Sequence, residues 1–123
     1  MRAVVMAAIV AMGMSGEAVA QQRSGPTADE IRQARRALVE RLRNPDSAQF
    51  RDVRAGRLDN GTAVFCGEMN STNGFGGYVG YQPFFVVNGT PVIAGRDAMT
   101  TEYYWYRVDF ICGEGRPMTP VRF

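Results

Sequence analysis

The chain contains no histidine and no lysine, so all 14 of its basic residues are arginine. Without histidine, neither a Ser-His-Asp nor a Cys-His nucleophile can be assembled, and without lysine no Schiff base can form. Cysteine occurs only at Cys66 and Cys112, which leaves too few ligands for a closed zinc site. We therefore expect a non-enzymatic protein that needs no cofactor and has no metal site.

Positive and negative charges nearly balance, because 14 arginines stand against 12 acidic residues and leave a formal net charge of +2. Nucleic-acid-binding domains usually carry a strongly basic patch. A nucleic acid is therefore not expected as a partner. At 123 residues, the chain has the length of one domain.

The first twenty residues have the features of a cleaved secretion signal. Arg2 gives a basic start, residues 3–14 form an apolar run, and Ala18-Val19-Ala20 matches the A-x-A pattern that signal peptidase cleaves. The apolar run is shorter than the roughly 20 residues that a membrane-spanning helix needs. We predict a signal peptide at 1–20, a periplasmic or secreted protein, and no stable membrane insertion after cleavage.

Export to an oxidising compartment favours a disulfide bond between the two cysteines. Redox-active pairs usually have the C-x-x-C spacing, whereas Cys66 and Cys112 lie far apart in the sequence. A structural bridge is therefore favoured over a redox-active pair. Such a bridge would also stabilise a domain whose core is small.

A helix is predicted from Thr27 to Arg43, after a flexible leader at 21–26. Thr27 and Glu30 have the spacing of a capping box, in which each side chain binds the backbone of the other. Pro45 ends the helix, because the residue before a proline avoids the helical conformation. Apolar residues recur at the spacing of one helical face; they are Ile31, Ala34, Leu38 and Leu42.

The rest of the domain, which we place at 27–123, is predicted to form antiparallel strands. Asn60-Gly61 and Asn88-Gly89 are hairpin signals. Residues 102–112 are predicted to form a half-buried strand, because every even position from Tyr104 to Cys112 carries an apolar or aromatic side chain. The other candidate strands are 50–58, 62–69, 78–87 and 90–94. We expect an α+β fold in which one N-terminal helix packs on a four- to five-stranded antiparallel sheet, with the disulfide on the same face.

Two segments carry a resemblance to a known family. One is the corner Asn44-Pro45-Asp46-Ser47-Ala48-Gln49-Phe50, with the pattern N-P-D-S-A-x-F. The other is Asn73-Gly74-Phe75-Gly76-Gly77-Tyr78-Val79-Gly80-Tyr81, which follows Phe65-Cys66-Gly67-Glu68. The chain resembles a family of small exported bacterial proteins of unassigned function. The resemblance implies a periplasmic one-domain protein and brings no catalytic residues with it.

The segment Asn70–Tyr81, called the aromatic loop below, is the first candidate contact site. Its glycines match neither of the common phosphate-binding spacings. A hairpin connection needs only about two to five residues, so the extra length favours a contact function. The alternative is that its aromatic residues cap the core. The candidate binding residues are Phe75, Gly76, Gly77, Tyr78 and Tyr81, together with Trp105, which is predicted to face outward.

Arginines on one flank of the predicted helix form a second candidate surface. They could meet an anionic partner such as a phosphorylated glycan or lipid headgroups. A solvated helix face with ion pairs such as Asp29–Arg32 is the favoured interpretation, because such faces are common. The arginines are Arg32, Arg36 and Arg43, with Arg35 beside them.

Glu68 and Glu114 each follow a cysteine by two residues. Parallel bridged strands would bring the two carboxylates close together, which suits a retaining glycoside hydrolase, whereas antiparallel strands would separate them. Three functions follow from these features. We favour a non-enzymatic domain that binds or supports another envelope component, protein or glycan. The alternatives are an inhibitor that presents the aromatic loop and a carboxylate hydrolase of envelope glycans.

The processing of the exported protein gives the first prediction. Mass spectrometry of the protein from the envelope fraction should find Gln21 at the N-terminus, either free or cyclised to pyroglutamate, because the A-x-A pattern ends at Ala20. Recovery of the chain with Met1 intact from that fraction would contradict the signal peptide.

Overall fold

The computed structural model describes residues 25–97, 101–113 and 115–123. The predicted signal peptide, most of the leader and Glu114 lie outside these ranges. Within them, no helix combines the length and the apolar character that crossing a membrane requires. The α-helices are α1 (Ala28–Val39) and α2 (Thr101–Cys112), and Pro45–Ser47 form a short 3-10 helix between α1 and β1. The strands are β1 (Gln49–Arg57), β2 (Ala63–Asn70), β3 (Gln82–Val87), β4 (Thr90–Ile93) and β5 (Thr119–Pro120).

The five strands form one antiparallel sheet in the order β4-β3-β2-β1-β5. The first four strands make a meander, and β5 pairs with the outer edge of β1. Gly61 has a φ of 87°, and Asn88 and Gly89 have φ values of 50° and 74°. These are the left-handed conformations that tight hairpin turns require. The predicted antiparallel sheet and both hairpin turns are confirmed.

Helix α1 begins as predicted and ends earlier than predicted. The capping box at its start is formed. After Val39 the chain tightens, because the amides of Arg41 and Leu42 donate to carbonyls three residues earlier, at 3.1 Å, as in a 3-10 turn. The tighter turn keeps Leu42 buried and places Arg43 beyond the helix.

The prediction of a strand at residues 102–112 is wrong, because these residues form α2. Their apolar side chains also fit a helical stripe, in which Tyr104 and Ile111 are buried together with Cys112. Phe110, which the strand pattern places inside, is 66% exposed. The strand preference of aromatic residues depends on packing more than on the backbone, so it does not prevent a helix here.

The sheet carries a separate core on each of its faces. Helix α1 covers one face, and helix α2 covers the opposite face, where Tyr104 and Ile111 pack with Val64 and Phe85. The buried residues on the α1 face include Leu38, Val53, Phe65, Met69, Phe84, Val86 and Ile93. The described residues therefore form three layers, helix, sheet and helix, where the sequence predicts two.

The Cys66–Cys112 disulfide is confirmed. It lies on the α2 face, so its expected position beside the first helix is wrong. Cys66 belongs to β2, the middle strand, and Cys112 is the last residue of α2. The bridge therefore ties α2 covalently to the centre of the sheet.

An ion pair joins the start of α1 to the end of β1. The Arg57 guanidinium donates to both carboxylate oxygens of Glu30, at 2.8 and 3.0 Å. It also donates to the carbonyls of Gly25, at 2.6 Å, and Gly61, at 3.0 Å. The hydrogen bonds from Arg57 lower the pKa of Glu30 to about 2. The Glu30 carboxylate thus caps α1 and, through Arg57, links the helix to the turn between β1 and β2.

Removing the bridge should destabilise the protein. The double variant Cys66→Ser with Cys112→Ser should lose about 2–5 kcal/mol of unfolding free energy, because the unfolded chain is no longer constrained. Urea denaturation monitored by circular dichroism measures this loss. Two titratable thiols in the freshly isolated native protein would contradict the bridge.

The Glu30–Arg57 pair predicts an acid dependence of stability. The pKa of Glu30 is lowered from 4.5 to about 2 on folding, so its stabilisation is complete above pH 4.5 and is lost as the pH falls toward 2. The free energies of unfolding of wild type and Glu30→Gln, measured by urea denaturation from pH 7 to 2, should converge as the pH falls from 4.5 toward 2. Glu40→Gln, an exposed change at the end of α1, is the control and should follow wild type. A difference between wild type and Glu30→Gln that stays constant with pH would refute the role of the pair.

Candidate functional site

The aromatic loop is held in shape by hydrogen bonds within itself. The Asn73 Oδ1 atom accepts the amides of Phe75, at 2.9 Å, and Gly77, at 3.1 Å. The Asn70 Oδ1 atom accepts the amide of Gly80 at 3.0 Å. Asparagine side chains often stabilise turns in this way. The loop therefore has a defined course between β2 and β3.

Three glycines of the aromatic loop occupy positions where a Cβ atom would be unfavourable. Gly76 and Gly80 have φ values of 81° and 98°, which are readily adopted only without a Cβ atom. Gly74 lies against Arg43, since a Cβ atom there would come within 3.1 Å of the guanidinium Nη1. Chain reversal thus accounts for Gly76 and Gly80, and the close approach of Arg43 accounts for Gly74.

The corner motif holds the base of the aromatic loop. The Ser47 hydroxyl donates to the Asn44 carbonyl at 2.7 Å and accepts the Thr72 amide at 2.9 Å. The Asn44 side-chain amide donates to the Thr72 hydroxyl at 3.2 Å. Ser47 and Thr72 are both buried. The two segments that carry the family resemblance are therefore in direct contact.

The side chains at the tip of the loop face solvent. Phe75 is 100% exposed, Tyr78 is 51% exposed and Val79 is 47% exposed. The alternative that the loop aromatics cap the core is therefore wrong for Phe75. Four candidate residues lie together at this tip, namely Phe75, Gly76, Gly77 and Tyr78.

A pocket of about 550 Å³ opens beside the tip. Its cationic residues are Arg43 and Arg96. The sequence predicts Arg43 at the end of the first helix. Arg96 follows β4, and no local sequence motif marks it as a site residue. The full lining consists of Arg43, Thr72, Asn73, Gly74, Phe75, Val79 and Arg96.

Tyr81 and Trp105, the remaining candidates, belong to a second cluster. The Arg51 guanidinium carbon lies 3.8 Å from the centre of the Tyr81 ring, and its Nη2 lies 2.8 Å from a carboxylate oxygen of Glu68. Trp105 is half exposed and lines a pocket of about 160 Å³ that also includes Glu68. The structure therefore divides the candidates into a tip group and a group beside Glu68.

The buried Tyr104 ring packs against the ring of Trp105. The two rings pack edge to face with their centres 5.4 Å apart, and the Tyr104 ring also lies 5.4 Å from that of Phe85. Burial raises the pKa of Tyr104, and no described residue hydrogen-bonds its buried hydroxyl. Tyr104 is therefore a core residue that stays protonated at neutral pH.

The paired glutamates of the hydrolase alternative are not brought together by the described residues. The Glu68 carboxylate is bound by Arg51, and Glu114 lies outside the described ranges. Because Cys112 ends a helix, neither the parallel nor the antiparallel strand geometry arises. Across the described ranges, no cluster of three or more His, Cys, Asp or Glu side chains could hold a metal ion.

The predicted arginine flank keeps Arg32, Arg35 and Arg36 on α1 and loses Arg43. Arg32 pairs with Asp29, as expected for a solvated helix face. The Arg35 guanidinium carbon lies 5.9 Å from the centre of the Phe50 ring. Arg43 leaves the flank altogether and lines the pocket beside the aromatic loop.

No family model matches the chain, and no match is found among curated proteins or among solved structures. The family resemblance of the corner and the aromatic loop therefore stays a prediction. The function has to be argued from the geometry of the site itself.

Removing the Ser47 hydroxyl should loosen the aromatic loop. Ser47→Ala leaves the Thr72 amide buried without its acceptor, which costs about 1–3 kcal/mol. Hydrogen exchange should accelerate at the amides of residues 72–80 and stay unchanged in β3. Thr90→Ala, a change at an exposed threonine, is the control and should leave the loop protected. Unaltered exchange in Ser47→Ala would show that the corner does not hold the loop.

Proposed function

We propose that the protein is an exported, non-enzymatic binding module of the cell envelope that contacts a partner protein through the tip of the aromatic loop. The observation that carries this proposal is Phe75, a fully exposed aromatic side chain on a loop fixed by its own hydrogen bonds. Contiguous exposed apolar patches on a protein surface mark sites of association, and Phe75 is exposed together with Tyr78 and Val79 on the same loop. Such a group on an ordered loop is suited to a specific contact.

The order of the loop favours binding energetically. A loop that is already in its bound conformation loses less conformational entropy on association, so more of the contact energy appears as affinity. Aromatic residues near the centre of an interface commonly contribute a large share of that energy. Phe75 and Tyr78 suit an apolar surface of a partner, with Phe75 making the larger contact because it is the more exposed.

The disulfide supports the proposed compartment. Structural bridges persist in oxidising compartments and are rare in the reducing cytosol. Together with the predicted signal peptide, the Cys66–Cys112 bridge favours a periplasmic or secreted protein.

An inhibitor is the second candidate, and the same tip favours it. An ordered loop with a protruding aromatic side chain can enter the cleft of an enzyme. The two functions differ only in the partner, because an inhibitor would lower the activity of the enzyme that it binds. A glycan hydrolase has less support, since Glu68 is already engaged by Arg51.

A pair of phenylalanine variants tests the proposal. Wild-type protein would first capture its partner from envelope extracts, and the dissociation constant would then be measured with the purified partner by calorimetry. Phe75→Ala should weaken binding by at least about tenfold, since truncation of a central aromatic residue typically costs about 2 kcal/mol or more. Phe110→Ala, which removes another exposed phenylalanine, should bind like wild type.

Three outcomes would count against the proposal. One is equal binding by Phe75→Ala and wild type, with both folded by circular dichroism. Another is equal loss in both phenylalanine variants, which would indicate a contact that does not depend on the tip. Turnover of peptidoglycan fragments by the wild-type protein would support the hydrolase instead.

A further inference from the structure

The pocket beside Phe75 has two chemically different walls. Phe75 and Val79 supply an exposed apolar wall, and Arg43 and Arg96 supply a cationic wall. Its volume of about 550 Å³ leaves room for one or two side chains of a bound segment. None of the described residues that line the pocket carries a carboxylate.

Arg96 is held in place by uncharged acceptors. Its guanidinium donates to the Ser71 hydroxyl at 3.2 Å, to the Gln82 side-chain carbonyl at 3.4 Å and to the Arg41 carbonyl at 3.5 Å. These contacts orient the guanidinium without neutralising it. The positive charge is therefore fixed at the pocket before any ligand arrives.

The acidic residue next to Arg96 in the chain is already engaged. The Asp97 carboxylate pairs with Arg41 and accepts the Ile93 amide at 2.7 Å. Arg43 is exposed, and no carboxylate among the described residues pairs with it. The pocket consequently presents the charge of Arg43, which no described carboxylate pairs with, together with Arg96, whose charge the nearby Asp97 carboxylate partly offsets.

We propose that this pocket binds an acidic residue of the partner protein, with an apolar neighbour of that residue seated against Phe75. A guanidinium group binds a carboxylate through paired, charge-assisted hydrogen bonds. The adjacent apolar wall, formed by Phe75 and Val79, would contact the apolar neighbour of that acidic residue. The inference rests on the proposed function and adds the chemistry of the segment that is recognised.

The extent of the pocket favours a protein segment over a membrane. A lipid surface also combines anionic and apolar groups, and it would meet the exposed tip of the loop. The pocket is an open depression that extends from Phe75 to Arg96, which follows β4. A side chain with a carboxylate can reach both arginines from this depression.

A phage library of random heptapeptides tests the chemistry without knowledge of the partner. Wild-type protein should enrich peptides in which Asp or Glu lies within two positions of an apolar residue. For the best synthetic peptide, Arg43→Gln should weaken binding by about tenfold or more, the scale of a charge-assisted hydrogen bond. Arg36→Gln removes an exposed arginine of α1 that does not line the pocket, and it should leave the affinity unchanged.

Charge reversal gives a second, independent readout. Arg43→Glu should bind the acidic peptide more weakly than Arg43→Gln does, because repulsion is added to the loss of attraction. For the same peptide with Gln in place of the acidic residue, the two variants should bind equally. Arg96 and its hydrogen bond to Ser71 are unchanged in both variants. An equal effect of Arg43→Glu on the acidic peptide and on the Gln peptide, with the variant folded, would overturn the assignment of Arg43.

The outcomes separate this inference from the proposed function. Enriched peptides that lack acidic residues but still require Phe75 would overturn the inference and leave the proposed function standing. Binding that is indifferent to Phe75→Ala, or no enrichment at all, would overturn both. Binding to vesicles of phosphatidylethanolamine with phosphatidylglycerol that both Phe75→Ala and Arg43→Gln abolish would assign the surface to lipid instead.

Discussion

The buried hydroxyl of Ser47 connects the two parts of the chain on which the candidate site depends. It donates to Asn44 and accepts the amide of Thr72, so it fixes the point at which the aromatic loop leaves the sheet. Asn70 and Asn73 then set the course of the loop. An exposed phenylalanine is thereby presented by a scaffold of hydrogen bonds, which is what a preformed contact surface requires.

Local signals in the sequence were sufficient for about half of the fold. The capping box and the Asn-Gly turns predict the start of α1 and the hairpins, because each depends on neighbouring residues only. Helix α2 could not be predicted in this way. Tyr104, Val108 and Cys112 are spaced by four residues, which satisfies both the strand and the helix period. Ile111 distinguishes the two, because the strand pattern places odd positions outside, whereas Ile111 is buried as a helix allows.

The candidate site, like the fold, can be predicted from the sequence only in part. The length of the aromatic loop and its glycines point to the tip, and the structure exposes Phe75 there. Arg43 and Arg96 reach the pocket through a tightened helix end and through the turn after β4, which are features of the tertiary fold. The strand pattern predicts that Trp105 faces outward, and Trp105 is exposed although it lies on helix α2.

The central claim is that the aromatic loop is ordered before it meets a partner. Backbone order parameters from ¹⁵N relaxation of the free protein test this most directly, at the amides of residues 73–80. We predict values near 0.85, typical of rigid backbone and equal to those of β2 and β3. Values below about 0.6 across the loop would mean that it is flexible on the ps–ns timescale, and they would contradict a preformed contact surface.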